Sequence, residues 1–191
     1  MSSIEILRQL LTQLRTADTD LSIFEARFHR YQLNPCLTED EVQVFECQNN
    51  VILPDDYRQF LLELGNGGVG PGFGMLKLLS KNHDCYCLDK PFPYESPEDM
   101  ILANGKLNFD GTFPLAEYGC GMVALLVITG KQRGKLWFAT GEDGIFPLGK
   151  NLCGFLHAGL DAYMEAEEPV CFSEWYRDWL VNSLATLGVN V

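Results

Sequence analysis

The stretch Gly65-Asn-Gly-Gly-Val-Gly-Pro-Gly-Phe-Gly74 has six glycines in ten residues and directly follows the segment Leu53-Pro-Asp-Asp-Tyr-Arg-Gln-Phe-Leu-Leu-Glu-Leu64. The preceding segment has a helical pattern. Pro54 suits a first helical position, Asp55 and Asp56 complement the helix dipole, and the apolar residues fall on one face. We expect Gly65 to end this helix in a left-handed conformation.

The order of these two segments bears on what the glycines do. A glycine loop that binds phosphate follows a strand and opens a helix, so that helix N-terminal amides meet the anion. This loop instead leaves the C-terminal end of a helix, and no Gly-Lys-Ser/Thr follows it. We therefore expect a structural loop that turns the backbone before an extended segment at Gly74–Leu79. No cofactor is expected.

Helical spacing recurs towards both ends of the chain. Apolar residues with a helical period predict helices at 4–14 and 21–31, separated by residues 16–20. Thr38 to Glu41 form a capping-box pattern that opens a third helix reaching about Glu46. Similar spacing predicts a helix at 155–163 and a final helix at 172–187.

The middle of the chain has strand patterns. Met122–Thr129 and Lys135–Ala139 predict an antiparallel hairpin around Gly130–Gly134, and a turn at 141–144 precedes another strand, Ile145–Leu148. Prolines at 91, 93 and 97 indicate a surface excursion within 81–112. Helices, then strands, then helices predict one α+β domain with a central antiparallel sheet flanked by helices.

Composition excludes several classes of partner. The 191 residues carry a formal net charge of −12 and are 47% apolar. Such a charge argues against nucleic acid and anionic membranes, and it suits a basic protein partner, although solubility alone would also explain it. Residues 1–14 lack a signal-peptide pattern and no apolar run is long enough to span a bilayer, so we expect a cytoplasmic protein.

Three features offer catalytic or metal chemistry. His83, Cys85 and Cys87 alternate and could share one face of a strand, but no second distant cysteine pair completes a zinc site. Cys120 lies between Gly119 and Gly121, where a residue in a tight turn is favoured over a nucleophile, because no histidine lies in a catalytic motif. We therefore expect no metal site and no enzymatic activity.

Aromatic and acidic side chains are the remaining candidates. Trp175 and Trp179 point the same way on the last helix, where a core stripe is favoured over an exposed anchor, and Trp137 is expected in the core of a strand. The acidic residues at the start of the third helix are our candidates for partner binding, with one more on the same face one to two turns later: Glu39, Asp40, Glu41 and Glu46. The alternative is a solvated surface.

The motifs resemble those of the SMI1/KNR4 family of the SUKH superfamily. Leu-Pro-x-x-Tyr-Arg-x-Phe-Leu followed by Gly-Asn-Gly-Gly-x-Gly-Pro-x-x-Gly is the first matching block. Phe113–Gly121, Leu125–Gly130 and Gly134–Phe138 form the second, and Phe172–Leu180 the third. The resemblance implies structural roles for Leu53, Pro54, Tyr57, Phe60, Leu61, Gly67, Gly68, Gly70, Pro71, Gly74, Gly119, Gly121, Trp137, Trp175 and Trp179.

The resemblance also carries expectations about organisation and function. It predicts a family-type domain at 38–191, preceded by a helical extension at 1–37 that packs on it. Bacterial members of this type imply an immunity protein that binds and neutralises a toxin. A basic nuclease toxin would suit the acidic charge. The alternative is a regulatory or scaffold protein of cell-wall (glucan) synthesis, as in the fungal members.

Overall fold

The computed structural model of the chain describes residues 2–78, 87–95, 101–102, 107–140, 144–149 and 168–190. Its helices are α1 (Ser3–Ala17), α2 (Ala26–His29), α3 (Glu39–Asn49), α4 (Asp55–Glu63) and α5 (Phe172–Thr186). Its strands are β1 (Ile101–Leu102), β2 (Thr112–Gly119), β3 (Met122–Val127), β4 (Leu136–Thr140) and β5 (Gly144–Pro147). The strands form one antiparallel sheet in the order β1-β5-β4-β3-β2, which confirms the predicted α+β fold.

Most of the predicted helices are confirmed where local signals were strong. Helix α1 buries Leu7, Leu11 and Leu14, and α5 buries its aromatic stripe against α1 and α4. The capping box opens α3 as predicted. Pro54 is the residue before α4 rather than its first residue. One shared core extends from α1 to the sheet, so residues of the extension and of the domain pack together.

The second predicted helix is wrong in extent. Only one turn, α2, forms within residues 21–31, because Leu21, Glu25, Arg30 and Tyr31 all have positive φ. Left-handed residues cannot continue a right-handed helix. As a result Phe28 is 62% exposed instead of contributing to a buried stripe.

The sheet is buried on both faces, and its side chains alternate between two cores. Leu126 and Phe138 point to the helix side, where Tyr57 of α4 and Phe172 of α5 pack with ring centroids 4.9 Å apart. Leu125, Val127, Trp137, Ala139 and Ile145 point to the other side. The alternation follows from the two-residue period of a strand.

The other face is covered by a segment that we expected at the surface. Phe92 and Tyr94 are buried, and their rings lie 5.1 Å and 6.1 Å from that of Trp137. The backbone amide of Phe92 donates to the carbonyl of Thr129 (2.8 Å). The segment 87–95 is irregular and mostly exposed, as predicted, but the burial of Leu88, Phe92 and Tyr94 was not expected. The prolines of the segment prevent regular structure without preventing burial.

The glycine loop, residues 65–74, extends the sheet beyond its β2 edge. Single bridges run from Ala116 of β2 to Met75, from Met75 to Gly68, and from Gly68 to Leu33. The segment predicted to be extended at Gly74–Leu79 therefore forms bridges at Met75 rather than a strand, and Leu79 lies outside the described residues. Six amides of the loop, those of Gly65, Asn66, Gly68, Val69, Phe73 and Gly74, donate to protein carbonyls, and most of these hydrogen bonds hold the loop against neighbouring segments.

Gly65 is not the left-handed cap that we expected. It is absent from the residues with positive φ, and its amide donates to the carbonyl of Phe60 (3.0 Å). A Cβ at Gly65 would lie 2.8 Å from the carbonyl oxygen of Asn34 and 3.0 Å from the Cβ of Leu33. Glycine is therefore required here by a close approach of two chain segments.

Two further predictions extend beyond what the structure describes. The predicted helix at 155–163 lies outside the described residues, and so do positions 141–143 of the predicted turn. The boundary between residues 37 and 38 stays a prediction. None of the helices in the described ranges combines the length and apolar character required to cross a bilayer.

Candidate protein-interaction site

Three of the four acidic candidates lie together at the first turn of α3. Glu39, Asp40 and Glu41 are exposed. Glu41 also completes the capping box, because its amide donates to Thr38 Oγ1 (3.2 Å) and its carboxylate accepts from the Thr38 amide (2.8 Å). This backbone hydrogen bond lowers the pKa of the Glu41 carboxyl. One of its carboxylate oxygens therefore caps the N-terminal end of α3.

The fourth candidate, Glu46, is tied into the structure instead. Its side chain is 13% exposed, and Oε1 accepts from the Leu53 amide (2.9 Å) and from Arg58 Nε (3.3 Å). The same guanidinium, of Arg58 on α4, also pairs with Glu39 at the start of α3. The hydrogen bond from Arg58 lowers the pKa of the Glu39 carboxyl and, in return, raises the pKa of Arg58. Two of the four acidic candidates thus share one cation.

A groove of about 810 Å³ runs beside α3. A smaller open groove, of about 510 Å³, lies elsewhere in the described part of the chain. The larger groove lies between the end of α3 and the β3–β4 hairpin, and Glu46, Val51, Ile52 and Ile128 line it. Arg133 fixes its wall by donating to the carbonyls of Ile52 (3.2 Å) and Leu53 (2.8 Å).

Two exposed aliphatic side chains, one on α3 and one in the linker that follows it, were missed by sequence reasoning. Ile52 is 69% exposed and Val44 is 53% exposed. Val44 lies between the buried Val42 and Phe45 on α3, so the helical period alone directs it away from the core. We call Glu39, Asp40, Glu41, Val44 and Ile52 the α3 surface. It combines carboxylates with apolar contact area.

A second group of exposed apolar residues is aromatic. Phe28 and Phe73 meet edge to face with ring centroids 5.0 Å apart, and they are 62% and 37% exposed. Phe24 is 41% exposed. Sequence reasoning missed this pair because it placed Phe28 in a buried stripe and treated Phe73 as part of the glycine loop.

The tryptophans lie in the core rather than at the surface. Trp137 and Trp175 are fully buried, and Trp179 is 9% exposed, with its ring 5.5 Å from that of Tyr176 and 6.1 Å from that of His29. The predicted core stripe is confirmed, and these rings are not available as anchors for a partner.

The candidates for metal binding and catalysis are distributed as follows. His83 and Cys85 lie outside the described residues, and Cys87 is exposed. Cys120 is exposed at φ 52°, between Gly119 and Gly121, in the turn that joins β2 to β3. Across the described ranges, no group of three or more His, Cys, Asp or Glu side chains is arranged to hold a metal ion.

Comparison with known proteins gives one match. The family model described as SMI1 / KNR4 family (SUKH-1) matches residues 36–158, which is more than half of the chain. The matched range contains α3, α4, the glycine loop and the whole sheet. No curated protein and no solved structure matches the chain significantly.

Proposed function

The chain belongs to the SMI1/KNR4 family (SUKH-1), and from this premise we propose that it is an immunity protein that binds and neutralises a toxin. Membership of the family supports an immunity or protein-interaction module at the family level. We further propose that it acts in the cytoplasm, by binding and without catalysis.

The α3 surface is the observation that carries this proposal. Protein interfaces combine apolar anchors near the centre with a polar rim. Val44 and Ile52 supply exposed aliphatic contact area on α3 and in the linker after it, and Glu39, Asp40 and Glu41 supply charge at the first turn of the same helix. The groove next to Ile52 would accept a side chain of the partner.

The charge favours a basic partner. The chain has a formal net charge of −12, and the acidic turn of α3 is one of its exposed concentrations of carboxylates. A nuclease toxin carries positive charge because its substrate is a polyanion. Opposite charges on the two proteins would accelerate their association and disfavour wrong partners.

The proposal is tested by capturing the partner from the native cell. Tagged wild-type protein and an Asp40→Lys, Ile52→Asp variant are used as baits, with Asp20→Lys, Glu168→Lys as a control of exposed acids elsewhere. We expect wild type and control to retain one basic toxin, identified by mass spectrometry, and the α3-surface variant to lose it. Cells that express the toxin should survive only when they also express a bait that binds it.

Other outcomes of the capture would contradict the proposal. Retention of an enzyme of cell-wall synthesis would instead indicate a regulatory or scaffold role. Equal retention of the toxin by the α3-surface variant would show that the toxin binds elsewhere on the protein.

A further inference from the structure

We propose that the N-terminal extension and the family domain form a second binding site, which takes an acidic, apolar-anchored segment of a partner protein. The site is the groove of about 510 Å³ between α1 and residues 31–33, which we call the arm groove. This volume lies in the range of ligand-binding clefts. The proposal is independent of the proposed toxin binding, and its partner has the opposite charge.

The chemistry of the arm groove is unlike that of the rest of the protein. Its floor is apolar, made of Leu11, Leu33 and Leu64, and its rim carries Arg8, Arg15 and Gln32. The remaining lining residues are Thr12, Thr16 and Tyr31, so the lining contains no carboxylate. In a chain with 26 acidic residues against 14 basic ones, the lining residues carry the opposite charge to the whole, with Glu5 pairing to Arg8 from outside the lining.

The charge is also divided along the sequence. Residues 1–37 contain four basic and four acidic residues, so the whole net charge of −12 belongs to residues 38–191. Within 1–37, the Asp18 carboxylate is buried and accepts from the Tyr31 hydroxyl (2.5 Å) and from the Ser22 amide (2.8 Å). A ligand carboxylate at the groove therefore meets less repulsion than elsewhere on the surface.

The two arginines differ in how they are held. Arg8 is fixed in place, because it donates to the Glu63 carbonyl at the end of α4 (2.7 Å) and pairs with Glu5 (3.1 Å). Arg15 has no ion pair or side-chain hydrogen bond to any other described residue. The Thr12 and Thr16 hydroxyls donate to carbonyls of their own helix, so the donors left for a ligand are the arginines and Gln32.

The spacing of the arginines selects a segment of chain over a small anion. Arg8 and Arg15 are seven residues apart on one helix, a rise of about 10 Å. Because Arg8 is held by Glu5 and by the Glu63 carbonyl, it is not free to converge with Arg15 on one small anion, whereas about three to four residues of extended chain span the separation of the two arginines. The leucines between the arginines would contact an apolar side chain. The ligand is therefore an extended segment in which apolar residues are flanked by one acidic residue on each side.

The proposal is tested with fluorescein-labelled peptides in a polarisation assay on the full chain. The probe is Gly-Ser-Glu-Leu-Leu-Leu-Glu-Ser-Gly, in which both Glu and the central Leu share one face of an extended chain, compared with versions in which both Glu become Gln or all three Leu become Ser. We expect the probe to bind with a Kd of roughly 0.1 mM. Either replacement should weaken binding at least about fivefold, and added salt should weaken it further.

Two protein variants with the same change of charge locate the site. Arg15→Glu lies on the rim, and Arg27→Glu is exposed on the same extension but does not line the groove. We expect Arg15→Glu to weaken probe binding about tenfold or more and Arg27→Glu less than about twofold. Thr12→Glu, in the middle of the rim, should act like Arg15→Glu. Circular dichroism should show that all three variants are folded.

Several results would overturn the proposal. These are the absence of saturable binding, equal loss with Arg15→Glu and Arg27→Glu, or equal binding of the peptide without leucines. Competition by phosphate at matched ionic strength would indicate a small-anion site instead. The α3-surface variant Asp40→Lys, Ile52→Asp should bind the probe like wild type, so this test and that of toxin binding fail separately.

Discussion

Gly68 shows why this chain depends on glycine. It holds φ 102° and bridges Leu33 on one side and Met75 on the other, so three segments meet at one residue. A Cβ added at Gly68 would overlap the carbonyl oxygen of Gln32, which accepts from the Val69 amide (2.9 Å). Both the backbone angle and the space therefore require glycine.

We predict that Gly68→Ala destabilises the protein well beyond the cost of a positive φ alone. Gly188 is the matched control, because its φ of 74° is also left-handed but a Cβ there meets nothing within 4 Å. Gly188→Ala should cost about 1 kcal/mol, and Gly68→Ala at least about twice that. Urea denaturation measures both. Equal costs would show that backbone strain is the whole effect.

We predict that His29 makes stability fall in mild acid. Burial lowers the pKa of His29 from 6.5 to about 4, and its Nε2 has no partner among the described residues. Folding favours the neutral imidazole. The contribution of His29 to the free energy of unfolding is therefore complete above pH 6.5 and is lost as the pH falls towards 4. The loss should reach up to about 3 kcal/mol.

The pH prediction is measured by denaturation of wild type and His29→Gln across this range. The variant should lose most of the slope between about pH 6.5 and 4.5. Burial would raise the pKa of the Asp18 carboxyl, but hydrogen bonds from Tyr31, Ser22 and Ile23 outweigh burial and lower it. Protonation of Asp18 therefore reduces stability only at a lower pH than that of His29. A slope that is unchanged in His29→Gln would assign the effect to other groups.

We predict that Trp179→Ala costs about 3–4 kcal/mol, because its ring packs in the core against Tyr176 and His29. Phe28→Ala, at a 62% exposed ring, should cost less than about 1.5 kcal/mol despite its edge contact with Phe73. Thermal unfolding of the two variants compares them directly. A small effect at Trp179 would contradict the buried stripe.

At the scale of elements, one carboxylate joins α3 to α4. Glu46 accepts from the Leu53 amide and from Arg58, with little exposure to solvent. We predict that Glu46→Gln destabilises the protein by about 1–2 kcal/mol, because the amide of Leu53 and Arg58 would then donate to a neutral oxygen in place of a charged one. Glu39→Gln, at an exposed partner of the same arginine, should change stability less than Glu46→Gln does, because water screens an exposed ion pair. Chemical denaturation of both variants would show any reversal of this order.

The sequence predicts those elements whose information is local. The capping residues of α3, the stripe of α5 and the glycines around the β3–β4 hairpin each lie within a few residues of the structure that they specify. Residues 21–31 mislead because several left-handed residues interrupt an apparent helical period. The burial of Phe92 depends on a sheet face formed by distant strands. Local sequence does not contain that information.

The candidate site follows the same rule. The exposed acids of α3 are predictable from a helix start, but the pairing of Glu39 and Glu46 with Arg58 joins residues 12 to 19 positions apart. Ile52 lies in a linker, where no periodicity indicates its exposure. The arm groove likewise exists only because the extension packs against the end of α4.

At the scale of the whole molecule, charge distinguishes the two proposed binding surfaces. The α3 surface lies within the acidic residues 38–191, and the arm groove lies where the neutral extension meets them. The proposed basic toxin would be attracted by the field of the net charge of −12 as it approached the chain. An acidic segment can bind only where arginines offset that field locally.

The most direct test of the proposed function is the rate at which the captured toxin associates with the protein, measured by stopped flow. Glu41 is left unchanged because it caps α3. Glu39→Lys, Asp40→Lys is compared with Asp20→Lys, Glu168→Lys, which makes the same change of charge at other exposed acids. We predict that the α3 variant associates about tenfold more slowly, that the control changes less, and that salt slows wild type. An acidic partner, or a rate indifferent to salt and to both variants, would contradict recognition through the α3 surface.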